Sequence, residues 1–200
     1  LYITNMKDCI LIMVLDLGCY FKMKYKDELI KSMNYLAGND KTIFLGQSVS
    51  YSGNAIFNTL SEISDDRKIE TPVFEDVQMG LSLGLALNGF IPVTCYPRFD
   101  FLILALNQMI NHLDKIKFMS ENKMKPRVII RTSVGPKEPL DGGPQHTADY
   151  TEAIKKMVTE IDIVTLEEPE EIFPAFKHAL ESSEVKSTLL IEKGSHYNDK

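Results

Sequence analysis

The sequence predicts an α/β fold: a three-layer domain with a mostly parallel sheet of about six strands and helices on both faces. Three observations support this prediction. Continuous apolar runs, such as KTIFLGQSV, are typical of strands that are buried on both faces of a sheet. Apolar residues at helical spacing fill the segments between these runs. The 200 residues, 44% of them hydrophobic, are enough to form one sizeable core.

The predicted elements alternate from Tyr25 onward. The first helix, YKDELIKSMNYLAG, has Leu29, Met33 and Leu36 at helical spacing and is expected to end at Gly38. The predicted strands are KTIFLGQSV, IETPVF, IPVTCYP, RVIIRT, DIVTL and STLLIEK. The helices between them are AIFNTLSEIS, DVQMGLSLGLALNG, FLILALNQMINHLDKIKFMS, EAIKKM and PEEIFPAFKHALESS. The long helix that begins FLILAL is expected to be deeply buried, because its first residues are all apolar.

Residues 1–22 are interpreted as an uncertain N-terminal extension, and residues 23–200 as a single domain. The apolar run CILIMVL is too short to span a bilayer, and Asp16 follows it directly. No small-residue cleavage site follows that would mark a signal peptide. Met23 is the expected natural start, because a well-formed helix begins just after it. No internal repeat or low-complexity linker divides the rest of the sequence.

Composition argues against several classes of protein. The net charge of −6 disfavours nucleic-acid binding, which requires a basic face. The three cysteines, Cys9, Cys19 and Cys95, have no metal-ligand spacing, and their odd number fits no disulfide framework. We therefore expect a cytoplasmic protein that contacts neither nucleic acid nor membrane.

Three chemically distinctive segments follow predicted strands. Glu75 follows IETPVF, the stretch YPRFDF follows IPVTC, and a Gly/Pro-rich loop that contains His146 follows RVIIRT. Ligands of parallel α/β sheets bind at the carboxyl ends of the strands, near helix N-termini. These segments are therefore the candidate site, and the unusual length of the His146 loop favours a function or mobility.

Each candidate has a simpler explanation. Glu75 can be an acid that the helix dipole favours, although Asp76 fills that role equally well and is the expected helix cap. His146 can be a solvated loop residue, and the aromatic residues at 96, 99 and 101 are more often core. Gly80 and Gly84 are expected to let their helix pack closely against a neighbour. His112, His178 and His196 are scattered, so a metal site built from them is improbable.

Taken together, several segments resemble the pyrimidine-binding domain of the transketolase superfamily. They are LGQSVSYSGNAIF, TPVFEDVQMGLSLGLALNGFIPV, FDFLILALNQMINHLDKIKFMS, PRVIIRTSVG and QHTAD, in that order. The resemblance runs from about Tyr25 to about Asn198. It is strongest to the β subunit of the decarboxylating component of 2-oxo acid (pyruvate or branched-chain) dehydrogenases.

That family binds thiamine diphosphate between two domains. The resemblance implies that Glu75 hydrogen-bonds a ring nitrogen of the aminopyrimidine and so helps to activate the cofactor. It further implies that Phe101 packs on the pyrimidine ring and that His146 lines the substrate channel. Glu75 and His146 are thus the candidate catalytic residues. Val73 and Gln47 join Glu75 and Phe101 as candidate cofactor-binding residues.

The sequence departs from the family at two points. The β subunits usually have Leu-Gly-Glu where this sequence has Leu45-Gly46-Gln47. In the family that glutamate helps to relay protons between paired active sites, whereas the neutral amide of Gln47 could preserve hydrogen bonds but cannot ionise. The sequence also ends near Lys200, without the family's usual C-terminal domain, so a fragment and a stand-alone domain both stay open.

The resemblance also implies a partner. The G-D-G…N-N segment that holds the diphosphate and Mg²⁺ in the family does not occur in this sequence. We therefore expect an α-type subunit to supply that segment, with no metal on this chain. An apolar surface around Phe101 and the 99–119 helix is the expected contact, and self-association is expected as well.

Three functions are compatible with the sequence. The first is the β-type subunit of a heterotetrameric, thiamine-diphosphate-dependent oxidoreductase of the pyruvate dehydrogenase (acetyl-transferring) type. The second is half of a split transketolase that transfers two-carbon ketol units. Its sugar-phosphate substrates would call for basic residues around the mouth of the active site, and there are few beyond Arg98, Arg131 and Lys137. The third is a non-catalytic oligomerisation or regulatory module. The sequence does not determine the substrate.

Overall fold

Six parallel strands form one sheet in the order β2-β1-β3-β4-β6-β5. The structure, a computed structural model, describes residues 23–52, 54–138 and 140–198. The strands are β1 (Thr42–Gly46), β2 (Lys68–Glu70), β3 (Ile91–Tyr96), β4 (Ile129–Val134), β5 (Ile161–Leu166) and β6 (Ser187–Lys193). The α/β prediction is confirmed. The interpretation of residues 1–22 lies outside the described residues.

Helices cover both faces of the sheet. They are α1 (Tyr25–Ala37), α2 (Ala55–Leu60), α3 (Glu75–Leu87), α4 (Phe99–Leu102), α5 (Ile116–Met119), α6 (Thr151–Lys155) and α7 (Pro169–Glu181). One core packs α1, α2 and α7 against alternate strand residues such as Phe44 and Leu190. The other packs α3, the segment after α4 and α6 against the opposite set, such as Ile130 and Leu189. No helix within the described ranges is long and apolar enough to cross a membrane.

The strand order places a crevice beside β1. The chain leaves β1 toward β2 on one side and then crosses to β3 on the other, so β1 lies at the point where the strand order reverses. In sheets of this kind, ligands bind outside the carboxyl ends of the strands at such a point. The loops after β1, β2 and β3 therefore surround the crevice, and the long loop after β4 borders it.

The predicted strand IETPVF is shorter and less buried than expected. The strand β2 ends at Glu70, two residues before Pro72, which cannot donate a ladder hydrogen bond. It lies at the sheet edge, and its three residues are only partly buried. Val73 and Phe74, which end the predicted strand, are 71% and 60% exposed. The apolar run here belongs to a surface loop.

The predicted long helix over residues 99–119 is interrupted. After α4, a 3₁₀ turn (Ile103–Ala105) leads into a π-helix (Asn107–Leu113), and α5 completes the segment. The N–H of Asp114 donates to the carbonyl of Met109, five residues back, which is the π-helical pattern. The apolar start is buried only in part, since Leu102 is buried whereas Leu104 is 63% exposed.

The π-helix ends at a buried carboxylate that joins it to the residues directly before β5. The side chain of Asp114 accepts hydrogen bonds from the main-chain N–H groups of Thr159 (2.8 Å) and Glu160 (2.7 Å), and it contacts Lys115. Burial alone would raise the pKa of Asp114, but the hydrogen bonds from Lys115 and these N–H groups outweigh burial and lower it. The charged carboxylate therefore stabilises the folded chain.

We expect Asp114→Asn to lower the free energy of unfolding by about 1–3 kcal/mol at neutral pH, because the amide cannot accept all of these bonds. The lowered pKa in the folded state means that the contribution of Asp114 is present above the carboxyl's usual value of about 3.9. It is lost as pH falls through the lowered pKa. Denaturant unfolding of both proteins at pH 7 and at progressively lower pH checks this.

The exposed acid Asp40 gives the matched control, since Asp40→Asn removes the same charge from the surface. We expect that variant to unfold like the wild type. A stability difference between wild type and Asp114→Asn that stays constant down to pH 2 would contradict the prediction.

Candidate functional site

Glu75, the first residue of α3, is buried at the crevice beside β1. Its side chain is only 5% exposed, and its Oε1 atom accepts a 2.8 Å hydrogen bond from Nε2 of Gln47, which follows β1. The other carboxylate oxygen, Oε2, has no hydrogen-bond partner among the described residues and is not sealed from solvent. The structure thus joins two of the predicted site residues and leaves one carboxylate oxygen available.

Asp76 does not cap α3, contrary to the expectation from the sequence. The N-cap residue is Phe74, which makes no side-chain cap, and Asp76 accepts a 3.2 Å hydrogen bond from Gln108 on the π-helix. Both acids lie in the first turn, where the helix dipole favours negative charge. The two acids differ in their hydrogen-bond partners. Asp76 binds Gln108 and so fixes the π-helix to α3, whereas Glu75 binds Gln47.

The close approach of β1 to β3 requires a glycine before Gln47. Gly46 has φ +149°, and a Cβ atom there would lie 2.3 Å from the carbonyl oxygen of Cys95. The buried amide of Gln78 lies beside it and donates to the carbonyl of Cys95 (3.0 Å) and to the hydroxyl of Thr94 (2.8 Å). The chain thus leaves β1 directly above Gln78, which sequence reasoning did not identify.

A second carboxylate, that of Glu70, holds the loop that carries Gln47. Its Oε1 atom accepts from the N–H of Ser48 (2.6 Å), and its Oε2 atom accepts from the N–H groups of Val49 (2.9 Å) and Ser50 (2.9 Å). Ser48 has φ +60°, a conformation that non-glycine residues rarely adopt. Consecutive N–H groups that converge on an anion form a nest, here occupied by the chain's own carboxylate.

Sequence reasoning also missed Glu70. The only sequence signal is an acid at the end of an edge strand, which is ordinary. Glu70 meets the loop because β2 pairs in parallel with β1, opposite Gly46, so that both strands end at one level. Local sequence patterns do not reveal that register, because it depends on how the two strands pair in the folded chain.

His146 and Phe101 form a second contact between predicted site residues. Their rings are 5.5 Å apart and nearly perpendicular, an edge-to-face arrangement. The Nδ1 atom of His146 is buried without a hydrogen-bond partner among the described residues. The loop lies close to β4, because a Cβ atom on Gly135 would be 1.9 Å from the carbonyl oxygen of His146. The remaining predicted residue, Val73, is exposed in the turn before Glu75.

The hydroxyl and thiol groups near Glu75 stay protonated. Tyr96 donates a 3.3 Å hydrogen bond to the main-chain carbonyl of Glu75, and burial raises the pKa of this phenol. Burial likewise raises the pKa of the Cys95 thiol to about 12. Neither group can therefore serve as a base near neutral pH, nor Cys95 as a thiolate nucleophile.

Arg131 does not lie at the mouth of the site, contrary to the expectation from the sequence. It is fully buried and ion-paired with Glu192 on β6, with one contact of 3.1 Å from Nη2. Although burial opposes its charge, the contact with Glu192 raises the pKa of Arg131. Tyr197 donates a further hydrogen bond to Glu192. Within the described ranges, no group of three or more His, Cys, Asp or Glu residues could hold a metal ion.

The sequence profile of the family described as "Transketolase, pyrimidine binding domain" matches residues 22–200. The chain belongs to this family. The resemblance proposed from the sequence motifs is confirmed, and with it the fold.

Similar proteins are named as subunits of 2-oxo acid dehydrogenases. The chain is 26% identical over 149 residues to the 3-methyl-2-oxobutanoate dehydrogenase subunit beta of Mycobacterium tuberculosis, which covers 72% of this chain and 42% of the relative. It is 29% identical over 135 residues to the pyruvate dehydrogenase E1 component subunit beta of Gracilaria tenuistipitata var. liui, covering 66% and 41%. The chain thus matches less than half the length of these relatives.

A solved structure shows the same fold. It is described as "Split gene transketolase, inactive beta4 tetramer", with a TM-score of 0.63 and 18% identity. The match covers 86% of this chain and 51% of that one. At this identity the likeness concerns the fold.

We expect Glu70→Gln to loosen the loop after β1, because the amide nitrogen of the variant cannot accept a hydrogen bond from main-chain N–H groups. The free energy of unfolding should fall by about 1–3 kcal/mol. Hydrogen exchange at the amides of Ser48, Val49 and Ser50 should become faster than in the wild type. Glu138→Gln, which changes an exposed acid, is the control. Unchanged exchange at these three amides would show that Glu70 does not hold the loop.

Proposed function

We propose that this pyrimidine-binding domain acts as the β-type part of a thiamine-diphosphate-dependent 2-oxo acid dehydrogenase, of the pyruvate dehydrogenase (acetyl-transferring) type. The names of the relatives support this reading. The single observation that carries it is the geometry of Glu75, a buried carboxylate with one oxygen held by Gln47 and the other available. A cytoplasmic location belongs to the same proposal and rests on cysteine usage.

The residues around Glu75 fit the aminopyrimidine part of thiamine diphosphate. When bound, that cofactor supplies an electron sink for the decarboxylation of a 2-oxo acid. The open Oε2 atom of Glu75 suits a ring nitrogen that shares a proton with a carboxyl group. Phe101 offers a half-buried aromatic face, and His146, in edge-to-face contact with it, is suited to line the path of the substrate.

Gln47 orients Glu75 without competing for its proton. Its amide donates to Oε1 and so presents Oε2 to the crevice. An amide carries no titratable proton near neutral pH, so a relay of protons through position 47 is not part of the proposal. Catalysis at one site would therefore proceed without coupling through Gln47.

The partner is proposed to be an α-type subunit that brings the diphosphate-binding segment and Mg²⁺. An apolar face is available for such contacts. It consists of exposed side chains in and before α3 and in the segment after α4: Val73, Phe74, Val77, Leu81, Ile103 and Leu104. Gly80 in this helix faces Gln108, whereas a Cβ atom on Gly84 would meet nothing within 4 Å. Among the described residues, the close helix packing expected of these glycines is therefore found at Gly80 and not at Gly84, which leaves Gly84 available to a second chain.

The decisive experiment is co-expression with a neighbouring gene that encodes the diphosphate-binding segment. We expect the assembly to release CO₂ from pyruvate or 3-methyl-2-oxobutanoate, and Glu75→Gln to lower kcat about 10²- to 10⁴-fold by removing the proton-sharing carboxyl group. Asp76→Asn makes the same change one residue away, at an acid that contacts Gln108, and should retain most activity. Undiminished kcat in Glu75→Gln would refute the role of Glu75.

A charge on the apolar face should disrupt assembly. We expect Leu81→Glu to weaken association with the α-type partner or with a second copy, because it places a carboxylate in a desolvated interface. Met157→Glu, at another exposed apolar residue next to α6, is the matched control. Analytical ultracentrifugation of both variants checks this. Identical assembly of Leu81→Glu and wild type would mean that the contact lies elsewhere.

A split transketolase is the second candidate, because the similar solved structure bears that description. Arg131 is committed to an internal ion pair, which leaves Arg98 and Lys137 as basic residues near the site. A donor screen separates the two activities: CO₂ release from a 2-oxo acid supports the dehydrogenase, and two-carbon transfer from a ketose supports the transketolase. A non-catalytic module is the outcome if the assembled protein does neither.

A further inference from the structure

We propose that Arg98 is the anchor of an anion-binding site, which takes a carboxylate or phosphate group of the small-molecule substrate. The identification of the ligand as substrate rests on the proposed function, whereas the binding of an anion does not. The site lies between the loop after β3, the loop after β4 and the turn after β6.

Two adjoining cavities share Arg98. The first, of about 180 Å³, is lined by Arg98 together with His146 and Asn198 and with the glycines and Pro136 of the loop after β4. The second, of about 250 Å³, also contains Arg98, Pro136 and Asn198 and adds Asn58 on α2. No aspartate or glutamate is among the described residues that line either cavity. Both cavities thus present donors, and neither presents a competing carboxylate.

The guanidinium of Arg98 is fixed but not neutralised. Its Nη1 atom donates to the carbonyl of Pro97 (2.7 Å) and lies 3.4 Å from the hydroxyl oxygen of Ser133, which itself donates to Pro97 (2.9 Å). The Nε and Nη2 atoms have no hydrogen-bond partner among the described residues and are not sealed from solvent. The Nη1 atom therefore holds the side chain in place, and the Nε and Nη2 atoms are available to a ligand.

Arg98 leaves more of its guanidinium without a hydrogen-bond partner than the other three arginines of the sequence do. Arg67 donates to the carbonyls of Asn39 and Thr42, and Arg127 donates to those of Leu180 and Ser182. Arg131 is paired with Glu192. Arg67 and Arg127 also have no carboxylate within ion-pair distance among the described residues, but each leaves only one guanidinium nitrogen without a hydrogen-bond partner there. Arg98 leaves two, and it lines two cavities that contain no carboxylate among the described residues.

Chemistry and position both favour an oxyanion of the substrate. A guanidinium presents paired N–H groups that match carboxylate and phosphate oxygens. His146 also lines the first cavity, and its unpartnered Nδ1 atom is buried there beside the Phe101 ring. The loop must contain glycine at 135, since a Cβ atom there would lie 3.1 Å from Nε of Arg98 and would strike the carbonyl of His146. An anion on Arg98 would thus lie directly beside the predicted substrate path.

Binding can be tested on the full chain without cofactor or partner. Inorganic phosphate and pyruvate are titrated separately at constant ionic strength, and the Nε–Hε resonance of Arg98 is followed by NMR. We expect saturable shifts with at least one probe, and at least about tenfold weaker binding in Arg98→Gln. Tighter binding of phosphate would assign the site to a phosphorylated substrate, and tighter binding of pyruvate to the carboxylate of a 2-oxo acid.

Two further variants keep the test independent of folding and of net charge. Arg98→Lys retains the charge without the fork and should bind with intermediate affinity. Lys41→Gln removes one exposed positive charge at the amino end of β1, whereas Arg98 follows the carboxyl end of β3. This variant should bind the anions like the wild type. The absence of a saturable shift, or equal affinities in wild type and a folded Arg98→Gln, overturns the proposal. Because no turnover is measured, loss of decarboxylation in the assembled enzyme would bear only on the proposed function.

Discussion

Three consecutive main-chain N–H groups, those of Ser48, Val49 and Ser50, converge on the carboxylate of Glu70, and the candidate site depends on this contact. It holds the loop after β1 against the end of β2. The loop begins with Gln47, whose amide then reaches Glu75. A carboxylate that accepts several main-chain hydrogen bonds is held in one position, so a single acidic side chain fixes the loop.

The strand order explains why residues so far apart in sequence meet. The loops after β1, β2, β3 and β4 all emerge at the carboxyl edge of one parallel sheet, and the order reverses at β1. Each loop brings one element of chemistry: an amide from Gln47, an acid from Glu75, an aromatic ring from Phe101 and an imidazole from His146. Exposed apolar side chains, among them Val77 and Leu81, follow Glu75 along α3.

The sequence predicted several residues of the candidate site, and the structure pairs Glu75 with Gln47 and Phe101 with His146. Glu75 was identifiable because an acid follows an apolar strand within a T-P-x-x-E turn, and Phe101 and His146 because they follow other strands in family motifs. The failures share one cause. The extent of β2, the π-helix and the buried position of Arg131 all depend on neighbours distant in sequence. Apolar periodicity cannot distinguish an edge strand from a central one, or an α-helix from a helix with an inserted π turn.

The sequence by itself determined the alternation of strands and helices, the family, and the types of residue at the ends of the strands. The alternation of elements follows from local patterns, because hydrophobic period and turn residues act over a few positions. The family follows from the resemblance of several motifs in their order along the chain. Only the tertiary structure decided that Glu70 orders the Gln47 loop, that Asp76 binds Gln108, and that Arg98 lines two adjoining cavities. Strand register and side-chain pairing fix such contacts, and both are properties of the packed chain.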